Sequence, residues 1–94
     1  MKLSDEIVIA GVRESAFKHG VSYEDMLYVV EYHVDYLQIE EDPDKFIYIG
    51  YDTAHRFLEV VIVEFTNGKY YINHAMKVRK GTLERFERNR HARY

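Results

Sequence analysis

The spacing of apolar residues changes twice along this 94-residue chain, from helical to alternating and back. Ser4 is placed to cap a first helix, with Asp5 and Glu6 in a first turn where the helix dipole favours acid. That helix is expected to run to Lys18 and stop at Gly20, which supplies the left-handed residue after a helix end. Ile7, Val8 and Ile9 are β-branched and support a rival, a short strand over 6–10. The helix is the preferred reading. Gly11 then sits mid-helix at a cost of about 1 kcal/mol relative to Ala, and so marks a close packing contact.

A second helix is read more plainly. Ser22 and Asp25 have capping-box spacing. Tyr23, Met26, Leu27, Val30 and Val34 follow at helical spacing and form a core-facing stripe. Tyr28 and Tyr32, four apart, meet on a neighbouring face.

The period then shortens to two. Glu40, Glu41, Asp42, Pro43 and Asp44 form a polar turn around the only proline. Residues 46–51 and 57–65 read as strands, rich in β-branched and aromatic side chains. Asn67-Gly68 is a hairpin signal, because a tight two-residue turn needs positive φ at both positions. Residues 69–76 return as the partner strand, and 34–39 are a candidate fourth. Thr82 is placed to cap a last helix over 83–93. That helix carries little apolar surface beyond Leu83 and Phe86. The expected fold is α+β: two N-terminal helices, an antiparallel sheet of three or four strands with helices on one face, and a C-terminal helix.

Composition narrows this to one domain over residues 1–94, since such a length buries only about two-thirds of its unfolded surface. A hydrophobic content of 47% excludes a disordered chain. There is no Cys, so thiolate and disulfide chemistry are excluded and a reducing cytoplasm is compatible. The five His show no metal-binding helical spacing, and neither a metal nor a cofactor is expected. The apolar run 7–10 is far too short to span a bilayer. Acid precedes it where a signal peptide would need positive charge, so a cytoplasmic protein without membrane contact is expected.

Charge adds an asymmetry. Residues 69–94 hold eight basic and two acidic side chains, +6, whereas residues 1–68 hold five and fourteen, −9. A basic end on an acidic protein is suited to an anionic partner, a phosphate backbone above all. The alternative is a solvated terminal helix.

The candidate chemistry lies where the last strand ends. Strict alternation places Tyr70, Ile72, His74 and Met76 on one face and Tyr71, Asn73 and Ala75 on the other. Lys77, Arg79 and Lys80 follow at once. Clustered cations at a sheet edge can neutralise charge developing on a phosphate. His74 suits an acid or base, as imidazole titrates near neutrality. The opposing reading is a hydrogen-bonded strand histidine. His19, beside Gly20, is read as a cation at the end of the first helix. Glu59 and Glu64 are candidate bases, but their odd separation puts them on opposite faces, so they cannot pair.

These residues carry a resemblance. The run 18–24, Lys-His-Gly-Val-Ser-Tyr-Glu, looks like the Lys-His-Gly-Val/Ile-Ser-x-Glu junction of BrnT-type toxins in the RelE/ParE-like superfamily. The run 58–64, Leu-Glu-Val-Val-Ile-Val-Glu, resembles that family's central strand. His74-Ala75-Met76-Lys77-Val78-Arg79 is similar to its strand end, and a charged helix follows. The likeness covers roughly residues 13–90. BrnT-type chains usually open with a strand and an Asp-Pro pair, and neither is read here.

The resemblance implies helices packed on an antiparallel sheet. It implies a toxin of a type II toxin–antitoxin system: a metal-independent endoribonuclease inhibiting translation, its partners an antitoxin protein and RNA, free or on the ribosome. Cleavage would proceed by attack of the ribose 2′-hydroxyl on the adjacent phosphate. His74, Arg79 and Lys80 are then the catalytic candidates, with Lys77, Arg56, Arg85 and Arg88 as RNA-binding cations. Two other readings stay open. One is a non-catalytic interaction module, an inactive toxin relative or a homo-oligomer, using exposed tyrosines. The other is a nucleic-acid binder without cleavage.

Overall fold

A computed structural model describes residues 7–92. Five strands form one mixed sheet: β1 (Val8–Val12), β2 (Asp35–Glu40), β3 (Lys45–Tyr51), β4 (Phe57–Thr66) and β5 (Lys69–Lys77). Their spatial order is β1-β5-β4-β3-β2. The last four strands form an antiparallel meander, while β1 runs parallel to β5. A single 3-10 turn (Glu14–Phe17) and helix α1 (Tyr23–Glu31) follow β1, and helix α2 (Lys80–Ala92) follows β5.

The expected first helix is thus a strand and one 3-10 turn. Ser4, Asp5 and Glu6, read as its cap and first turn, lie outside the described residues. The β-branched run prevails because it docks beside β5, where tertiary pairing outweighs local helix propensity. The sheet accordingly has five strands, one more than the highest expected count, and is not purely antiparallel. Gly11 does mark a close approach, but within β1: a Cβ there would meet the Tyr71 ring at 3.4 Å. Gly20 takes φ 79 as expected, ending the 3-10 turn instead of a helix.

Helix α1 begins where the sequence placed it. Ser22 Oγ accepts the backbone N–H of Asp25 at 3.1 Å, which satisfies one of the unpaired amides of the first turn. Met26, Val29 and Val30 are buried. Val34 lies beyond the helix and is 62% exposed, so it leaves the expected stripe.

Helices cover both faces of the sheet. Ala16 of the 3-10 turn and Met26, Val29 and Val30 of α1 pack on Tyr48, Leu58, Val60, Ile62 and Ile72. On the opposite face Phe86 of α2 packs on Ile47, Ile49 and Val61. Residues 58–62 of β4 are therefore buried in succession, which explains their near-continuous apolar run. The β4–β5 hairpin turns at Asn67-Gly68 with positive φ at Gly68 alone, and the ladder slips between Glu64 and Thr66. Two residues join the strands as expected, but only the glycine is left-handed, and the slip in the ladder accommodates the difference.

A second irregularity in β5 decides the site. Val61 pairs with His74 and Ile62 with Ile72, leaving Asn73 as the extra residue of a bulge. The bulge inverts the facing of the rest of the strand. Ala75 joins Ile72 on the α1 face. His74 and Met76, paired with Val61 and Glu59, lie on the α2 face. Strict alternation had grouped His74 with Tyr70 and Ile72.

Candidate functional site

Glu59 is the charged member of the β4 run and is fully buried. Three residues, His74, Arg79 and Thr82, direct five hydrogen bonds to its carboxylate. His74 Nε2 donates to Oε2 at 2.7 Å. Arg79 donates to Oε2 through Nη2 at 2.6 Å and Nε at 3.0 Å. The Arg79 backbone N–H reaches Oε1 at 3.1 Å, and the Thr82 hydroxyl reaches the same oxygen at 2.6 Å. Burial by itself would raise the Glu59 pKa; the bonds from His74, Thr82 and Arg79 outweigh it and hold the carboxyl at about 2. Glu59 is therefore ionised, and a charge so deep is stable only because it is fully paired.

The geometry fixes proton positions. A carboxylate only accepts, so His74 Nε2 carries a proton. Nδ1 is the ring nitrogen that Glu59 does not engage. Orientation of an imidazole by a buried carboxylate is the arrangement that sets the tautomer of a working histidine. His74 itself is mostly buried, whereas the Arg79 side chain is 57% exposed. Arg79 is anchored at one edge of its guanidinium and open at the other.

Thr82 was expected to cap α2. It lies within the first turn, and its hydroxyl turns to Glu59. Glu59 takes over the capping role from across the sheet, because it accepts the Arg79 N–H just ahead of the helix and carries negative charge at the helix N-terminus.

His19 does not end a helix. It follows the 3-10 turn, and its ring lies 6.1 Å from that of His74, edge to face. With Arg56 and Lys77 it lines a hollow of about 210 Å³ beside the network. Arg56 is held there by Asp52 at 2.6 Å and Asp25 at 3.4 Å. Burial would raise the Asp52 pKa, but its bonds from Arg56 and from the Ala54 amide bring it below the ordinary value. Arg56 is therefore a positioned cation, largely balanced by two carboxylates.

A second hollow of about 350 Å³ opens on the other flank, lined by Arg79, Thr82 and Arg85 against Ile39, Ile47 and Val61. Lys77 and Lys80 are exposed on either side of Arg79 in the chain. Arg88 is exposed on α2 and lines neither hollow. The structure thus brings His74, Arg79, Lys77 and Arg56 to one end of the sheet, sets Arg85 on the far flank, and leaves Arg88 apart. Phe86 and Tyr70 are both core residues. Glu59 and Glu64 do face opposite ways, paired with Met76 and Tyr70 respectively.

Sequence reasoning missed Glu59 as the hub. The signal was present: one carboxylate inside a run buried on both faces must be paired, and only the end of β5 supplies cations within reach. Comparisons with protein-family models, curated proteins and solved structures find no match.

Proposed function

We propose that this protein is a ribonuclease toxin of a type II toxin–antitoxin system, cutting RNA by attack of a ribose 2′-oxygen on the adjacent phosphorus. The observation that carries the reading is the Glu59 network, which fixes an imidazole and a half-exposed guanidinium on one carboxylate. The P–O5′ bond breaks as the new P–O2′ bond forms, giving a cyclic phosphate and a free 5′-hydroxyl. His74 Nδ1 takes the 2′-proton or delivers one to the departing 5′-oxygen. Arg79 neutralises the charge gathering on the non-bridging oxygens, with Lys77 and Lys80 as nearby cations. The strand β1 supports the same reading, since BrnT-type chains open with a strand.

The network also favours a second reading. Glu59 bonds the Arg79 amide and the Thr82 hydroxyl, and so fastens α2 to the sheet. In a non-catalytic module that would be its whole purpose.

Expression alone and RNA cleavage separate the two. A toxin should slow bacterial growth, and the purified protein should cut single-stranded RNA in the presence of EDTA. Arg79→Ala, folded by circular dichroism, should cut on the order of 100-fold more slowly, as for loss of one donor to developing charge. Absence of cleavage by the wild-type protein, or equal cleavage by the folded variant, would leave the anchoring role alone.

A further inference from the structure

On the side of the Asp52–Arg56 turn away from the site lies a hollow of about 420 Å³ walled by Tyr28, Tyr32 and Tyr51 and floored by the turn. Tyr32 and Tyr51 are 63% and 49% exposed, and Tyr28 38%. Tyr28 and Tyr32 meet at 4.8 Å across one turn of α1. Tyr51 is stacked on its cross-strand partner Phe57 at 4.6 Å. The walls approach because residue 50 is glycine: a Cβ there would lie 3.1 Å from the His33 Cα, against the end of α1. His55, at the rim, is held at φ 64, a conformation unusual for a side chain other than glycine.

The chemistry of the hollow selects its ligand. Three tyrosine side chains suit either a cation or a flat π-system. Asp52 adds little attraction for a cation, because its charge is already paired with Arg56. Its Oδ1 accepts from the Ala54 and Arg56 amides and its Oδ2 from Arg56 Nε. A neutral planar ring is what remains. Arg56, bound to Asp52 in this turn, also lines the hollow that holds His19 and Lys77. An aromatic recess and a cationic recess thus share one turn, matching the alternation of base and phosphate along a single strand.

We infer that the Tyr28–Tyr32–Tyr51 hollow is a nucleobase-stacking site, which holds one unpaired base of a single-stranded RNA whose phosphate lies on the His19–Arg56–Lys77 side. The inference rests on the RNA reading and adds a positioning subsite to it. Stacking of one base is worth about 1–3 kcal/mol, about 5- to 150-fold in affinity. Such a subsite would set which nucleotide precedes or follows the cut.

The test measures binding without cleavage. A short 2′-O-methyl RNA carrying one 2-aminopurine reports stacking by loss of its fluorescence, and a twin carries an abasic position in its place. The wild-type protein should bind the first at least 5-fold more tightly and quench it. Tyr32→Ser and Tyr51→Ser should bind it no better than the wild type binds the abasic twin, while Tyr32→Phe and Tyr51→Phe keep affinity. Equal affinity for the two oligonucleotides would overturn the stacking site and leave RNA binding standing. Failure of both oligonucleotides to bind would overturn the stacking site and RNA recognition together.

Discussion

Glu59 is the residue on which the molecule turns. Its carboxylate is buried, ionised and saturated by donors from β5 and α2. Because its pKa falls from 4.5 to about 2 on folding, it binds fewer protons in the native state than in the unfolded one. Its contribution is then complete above pH 4.5 and is lost as pH falls toward 2. Such a shift corresponds to about 3 kcal/mol. Glu59→Gln should lower stability by about that amount at pH 7, and the gap to wild type should close between pH 4.5 and 2, measured by urea unfolding. A gap independent of pH would mean that the carboxylate is not the charged hub. At this scale the sequence told half the story. His74 and Arg79 stood out because cations follow a strand end. Glu59 did not, because its role depends on a bulge at Asn73 that strict alternation cannot anticipate. Asn is disfavoured in strands, and that was the local hint of the bulge.

At the scale of elements, legibility followed the strength of local signals. The capped α1, the meander β2–β5 and the C-terminal helix could be read, because caps, β-branched runs and an Asn-Gly turn are written in neighbouring residues. The first strand could not. Ile7 to Ile9 fit either period, and the choice is made by β5, some sixty residues away. Burial of both sheet faces likewise waited on the structure, since α2 shows only Phe86 to the core. Gly50 illustrates an element-scale constraint that no local rule reveals, for it lets β3 lie against the end of α1. Gly50→Ala should cost about 1–3 kcal/mol, as overpacking does. It should also weaken binding of the 2-aminopurine RNA, because the Tyr32 wall must shift. Unchanged stability would show that the end of α1 yields freely and that the hollow is not rigidly built.

For the whole molecule, the sequence showed a charge split and the structure shows where it leads. The basic C-terminal segment places Lys77, Arg79 and Lys80 at one end of the sheet, and the 3-10 turn region brings His19 to the same end. Among the described residues no helix is long and apolar enough to cross a membrane. Two hollows flank the network there, one lined by His19, Arg56 and Lys77 and one by Arg79, Thr82 and Arg85. The central claim is that His74, held by Glu59, transfers a proton during RNA cleavage. Its most direct test is single-turnover cleavage by His74→Gln, with RNA affinity and urea stability measured on the same protein. The expected result is a cleavage rate lower by about 100-fold or more at an affinity within a few-fold of wild type, since proton transfer contributes on that scale. A stably folded His74→Gln protein that cuts at the wild-type rate would contradict the claim.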